Sequence, residues 1–110
     1  MGSCRYKLRY IPLFYEDFNE ILTYIRVKLN NPEAAQNLIN QVERAILKRS
    51  NSPESFEKYH SIREREFPYY KIRVKNYTIF YVVIDVSKHE KIMEVRRILY
   101  SRRNEEELIR

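Results

Sequence analysis

Residues Tyr6 to Ile11 alternate, with Tyr6, Leu8 and Tyr10 set against Lys7, Arg9 and Ile11, and this period of two predicts a half-buried first strand. After Pro12 the period changes. Phe14, Phe18, Ile21/Leu22, Ile25 and Leu29 fall along one stripe of an amphipathic helix that Asn30-Asn31 ends. Asn31 is placed to cap a second helix, with Pro32 at a position where its missing N–H costs nothing and Glu33 near the positive end of the dipole. The second stripe is Ala35, Leu38, Ile39, Val42, Ala45 and Ile46, stopped by Ser50-Asn51-Ser52-Pro53. So short a connection makes the two helices an antiparallel hairpin. Glu54 to Phe67 is irregular and charged, and reads as a loop carrying a single helical turn before Pro68 sets an extended backbone.

The second half is built of strands. Tyr70, Ile72 and Val74 alternate with Lys71, Arg73 and Lys75, and Tyr77 to Ile84 is rich in β-branched and aromatic residues, so a hairpin about Lys75-Asn76 is expected. Val86 to Glu90 reads as another turn, Lys91 to Tyr100 as the last strand, and Ser101 to Arg110, with Asn104 as cap, as a short terminal helix. The last strand leaves its facing open, because Val95/Arg97/Leu99 and Arg96/Ile98/Tyr100 each mix apolar and polar residues. The order β-α-α-β-β-β implies a single α+β domain over residues 1–110, with the helical hairpin on one face of an antiparallel sheet. If Tyr70, Ile72 and Val74 face the helices, Lys71, Arg73 and Lys75 share the opposite face.

Composition narrows the class. At 110 residues there is room for one core, and 44% apolar with 33% charged residues excludes both a disordered chain and a membrane span. The opening Met1-Gly2-Ser3-Cys4-Arg5 lacks the apolar stretch of a secretory signal, so a cytoplasmic protein is expected. With Cys4 as its single cysteine, the chain has neither a disulfide framework nor a zinc-ligand pattern. The net charge of +6 is local: Tyr69 to Arg103 holds nine Lys/Arg against three acids, and the rest balances. Such a segment attracts phosphates in a salt-dependent way.

The single glycine excludes phosphate loops and dinucleotide fingerprints, and no nucleophile elbow or HExxH is present, so no cofactor and no metal are expected. His60 and His89 lie in separate predicted loops. Glu64 and Glu66 are potential bases, read as surface ion-pair formers. What remains is an Arg/Lys cluster with tyrosines. RNA cleavage needs a 2′-OH deprotonated, a phosphorane stabilised and a leaving oxygen protonated; guanidinium groups serve the second step, and a lysine or tyrosine of lowered pKa the others. The same cluster suits passive nucleic-acid binding or docking onto an acidic protein segment. Tyr10, Tyr24, Tyr77 and Tyr81 read as core, whereas Tyr69 and Tyr100 adjoin the basic residues and are candidates for base stacking.

From Tyr6 to Ile109 the chain resembles the RelE/ParE superfamily of type II toxin–antitoxin toxins. The resemblance rests on the opening strand Tyr6-Lys7-Leu8-Arg9-Tyr10, the helical hairpin, the run from Tyr69 to Val83, and the ending Val95-Arg96-Arg97-Ile98-Leu99-Tyr100-Ser101-Arg102-Arg103. It implies a small α+β domain neutralised by a cognate antitoxin. RelE-like members cut messenger RNA on the ribosome, and ParE-like members poison DNA gyrase. On the first pattern the chain would act through Lys71, Arg73, Arg97 and Arg102: Arg73 and Arg102 would stabilise the scissile phosphate, Lys71 or Tyr100 would move protons, and Lys75, Arg96 and Arg103 would hold the nucleic acid. Thr78 stands where the ribonucleases often carry arginine, and Tyr100 precedes Arg102 rather than following it. The resemblance thus implies a ribosome-dependent endoribonuclease, with a gyrase-targeting toxin or a degenerate toxin that only binds its antitoxin as the alternatives.

Overall fold

A computed structural model of the chain describes residues 5–56 and 68–101. Its elements follow the expected order: β1 (Arg5–Tyr10), α1 (Pro12–Thr23), a π-helical turn (Tyr24–Lys28), α2 (Pro32–Arg49), β2 (Tyr70–Val74), β3 (Tyr77–Asp85) and β4 (Glu90–Tyr100). Most of the Glu54–Phe67 loop, with His60, Glu64 and Glu66, lies outside the described residues, as do Cys4, Arg102, Arg103 and the expected terminal helix beyond Ser101.

Pro12 opens α1 directly after β1, and Tyr10, Phe14 and Phe18 run ring to ring at 5.3 and 5.7 Å, which pins the helix to the strand. At its end the helix widens. Leu29 N–H bonds the Tyr24 carbonyl and Asn31 N–H the Ile25 carbonyl, both at 3.1 Å, so the last turn holds more residues than an α-helical turn. Ile25 stays buried, but Leu29, expected on the apolar stripe, is turned out and 57% exposed. Asn30 closes the helix in the left-handed region (φ 48°), where asparagine is better tolerated than most residues. Asn31 then caps α2 as expected, its Oδ1 accepting from Ala34 N–H at 3.0 Å.

The four strands form one sheet in the order β1-β4-β3-β2. β2, β3 and β4 make the expected antiparallel meander, with Tyr70 opposite Tyr81 and Tyr77 opposite Tyr100. The first strand corrects the expectation of an all-antiparallel sheet: β1 lies parallel to β4, with Leu8 opposite Met93 and Tyr10 opposite Val95. The cause is the helical hairpin, which crosses one face of the sheet and delivers β1 and β2 to opposite edges, where β1 meets the third strand of the meander.

Tyr70, Ile72 and Val74 face the helices, in one core with Leu38, Val42, Ile46, Ile79, Tyr81, Met93, Val95 and Ile98. The last strand's undecided facing is resolved by a β-bulge. Tyr81 opposes Val95 but Phe80 opposes Arg97, so Arg96 is the extra residue and the alternation of β4 shifts there. Met93 and Val95 reach the helix-side core before the bulge, and Ile98 reaches it after. The opposite face is not purely cationic as expected, because Tyr69, Phe80, Val82 and Leu99 form a second buried cluster on it.

Candidate functional site

Strand register sets the face opposite the helices. Arg9 pairs with Glu94 and Glu94 with Val82, Arg97 pairs with Phe80 and Phe80 with Lys71, and Leu99 pairs with Thr78 and Thr78 with Arg73. Basic residues therefore flank the second apolar cluster along both sides. Arg73 is exposed, Lys71 is half-buried, and Lys75 occupies the hairpin turn at φ 54°. The Lys71 carbonyl accepts from Arg49 at 3.0 Å; the same guanidinium reaches the Tyr81 hydroxyl at 3.0 Å and lies 3.5 Å over the Phe56 ring. Arg49 thus fastens the end of α2 to β2.

Two buried carboxylates organise Arg9, Arg96 and Arg97, and neither was singled out from the sequence. Glu94 sits between Arg9 and Arg96: Arg9 donates from Nε at 2.8 Å and from a second nitrogen to the same oxygen, and Arg96 Nε donates to the other oxygen at 2.7 Å. Burial of Glu94 opposes its ionisation, but the hydrogen bonds from the two guanidinium groups outweigh it and hold the carboxyl below the usual range. Burial works likewise against the Arg96 cation, and hydrogen bonds with Tyr69 and Glu94 override it.

Asp17 does more. Its carboxylate takes both Nε and a terminal nitrogen of Arg97 at 2.7 Å, and also the backbone N–H of Ile98 at 3.2 Å. β1 pairs only as far as Val95, so Asp17 satisfies β4 where its partner strand has ended. The hydrogen bond to Asp17 keeps Arg97 charged beyond its ordinary range. A sequence signal for Asp17 did exist: it lies between Phe14 and Phe18 on the stripe that packs inward.

Tyr100 is on the other side of the sheet from Lys71 and Arg73. Its ring meets Tyr77 at 5.9 Å and lines a cleft together with Asp17, Glu20 and Tyr24 of the first helix and its π turn. Tyr24, expected in the core, is 54% exposed, whereas Tyr69, a stacking candidate, is 2% exposed and unable to offer a ring face to a base. Thr78 is sealed as well, its hydroxyl 2.9 Å from that of Ser101. Burial pushes the phenols of Tyr10, Tyr70, Tyr77 and Tyr81 upward, away from neutrality. Lys91 is likewise raised, chiefly by its hydrogen bond to Glu54. Among the described residues no cluster of His, Cys, Asp and Glu could hold a metal ion, and no helix is long and apolar enough to cross a membrane.

The sequence model of the ParE toxin of type II toxin–antitoxin systems, parDE, matches residues 8–105. The chain belongs to that family. No curated protein matches it. As a ParE-family toxin it has a cognate antitoxin as the partner its class implies, and the expected superfamily is upheld. Of the eight residues singled out as this toxin's site, Lys71, Arg73, Lys75 and Arg96 stand at or beside the face opposite the helices, and Arg97 is drawn to Asp17. Tyr100 lies on the helix side, and Arg102 and Arg103 are outside the described residues.

Proposed function

We propose that this ParE-family toxin arrests growth by binding DNA gyrase, is held inactive by its cognate antitoxin, and does not itself cut RNA. The observation carrying this reading is the separation of Tyr100 from Lys71 and Arg73 by the thickness of the sheet. General acid–base chemistry needs both proton-transfer groups within hydrogen-bond reach of one substrate. A further observation supports it. Arg97 is already held by Asp17 through two hydrogen bonds at 2.7 Å, so its charge is engaged within the fold. Exposed Arg73 and its neighbours then serve as a cationic docking surface, for which an acidic protein region is the complement.

The ribosome-dependent ribonuclease is the second reading, favoured by the positions of Lys71 and Arg73 on one strand of the basic face. The substitution Tyr100→Phe separates the two. It keeps the ring against Tyr77 and removes the only proton the side chain can transfer. Growth arrest on expression is expected to persist undiminished, with plasmid DNA in the arrested cells losing negative supercoils and messages uncut. Loss of arrest together with loss of message cleavage would establish the ribonuclease instead.

A further inference from the structure

The chain carries a net charge of +6, yet one cleft runs against it. It encloses about 550 Å³ between α1 and the end of β4, and among the described residues no lysine or arginine lines it. Two carboxylates line it. Asp17 is matched by Arg97, whereas Glu20, one turn further along the helix and exposed, has no ion-pair partner among the described residues. Three phenol rings complete the walls: Tyr24 four residues beyond Glu20, and the cross-strand pair Tyr77 and Tyr100 facing it. Tyr77 and Tyr100 meet edge to face at 63°, so they are not stacked flat on each other, and both line the cleft. The Tyr77 phenol is raised first by burial, then by Tyr100 and Tyr24.

We propose that this cleft receives the guanidinium group of an arginine on a peptide partner. Ring faces attract a cation through their quadrupole, and the exposed Glu20 carboxylate supplies the counter-charge. A guanidinium fits better than an ammonium, because its plane stacks on tyrosine and its fork can take both oxygens of a carboxylate. The partner contributes a side chain here and not a strand. The Ile98 N–H at the β4 edge beside the cleft is already bonded to Asp17, so main-chain pairing at that point is closed. The proposal stands apart from the mode of growth arrest, since none of the cleft's function depends on gyrase or RNA.

The test titrates the full chain with N-acetyl-arginine amide, using N-acetyl-citrulline amide as the neutral control of nearly the same shape, and follows backbone and tyrosine ring resonances by NMR. Saturable shifts at Tyr24, Tyr77 and Tyr100 are expected with the arginine compound alone. Glu20 and Tyr24 are exposed, so Glu20→Gln and Tyr24→Ala leave the fold intact. Each should weaken binding by about two- to fivefold, the worth of one exposed cation–π or ionic contact. Glu43→Gln, on the exposed side of α2, should leave affinity unchanged. The proposal is overturned if the citrulline compound binds equally, if the shifts map elsewhere or do not occur, or if Glu20→Gln binds arginine as well as the wild type.

Discussion

Glu94 shows what a single carboxylate does in this protein. Arg9 and Arg96 hold its folded-state pKa below the ordinary value of 4.5, so its pairing stabilises the fold in full above pH 4.5. That contribution falls away as the pH drops from 4.5 through the lower folded value. Acid titration of unfolding should therefore show stability declining below pH 4.5 in the wild type and a shallower decline in Glu94→Gln. At neutral pH that variant should be less stable by about 1–3 kcal/mol, because two guanidinium groups lose a charged acceptor. Asp17→Asn should cost about 3 kcal/mol, since it strands the half-buried Arg97 charge. Adding Arg97→Met to it should restore part of that loss in denaturant melts, whereas purely additive losses would contradict the pairing.

At the scale of elements, local chemistry was legible wherever it acts through neighbours in sequence. Asn31 announces itself as a cap by standing before Pro32 and Glu33, and its side chain does bond the third residue of the helix. Asn31→Ala is expected to lower stability by about 1 kcal/mol and the melting temperature by about 4 °C. Lys75 holds a positive φ in the β2–β3 hairpin, so Lys75→Gly should raise stability by about 0.5–1 kcal/mol despite glycine's freedom in the unfolded chain. What the sequence hid was non-local or irregular. The π turn rotates Leu29 off the stripe, and the bulge at Arg96 breaks the alternation of β4, which is why neither parity of that strand looked clean. The Asp17–Arg97 pair joins residues 80 positions apart, beyond the reach of any periodicity. The parallel pairing of β1 with β4 likewise depends on the whole topology.

The molecule as a whole separates two surfaces of opposite character. Lys71 and Arg73 stand on the sheet face away from the helices, and the cleft with Glu20 and three tyrosines lies on the helix side. The basic segment from Tyr69 onward was legible from charge counting, but its division between the two faces and the salt-bridged positions was not. Since Arg73 is exposed, Arg73→Ala should abolish growth arrest while changing stability by no more than about 0.5 kcal/mol, as read by expression in cells and by thermal melting. Full toxicity of that variant would show that the basic face plays no part in growth arrest. The most direct test adds the purified toxin to two defined reactions, DNA supercoiling by gyrase and translation of one message in a reconstituted system followed by primer extension. Supercoiling should be inhibited in proportion to added toxin, with inhibition reversed by antitoxin, while the message stays intact. Discrete, ribosome-dependent cuts in the message with supercoiling untouched would contradict gyrase as the target.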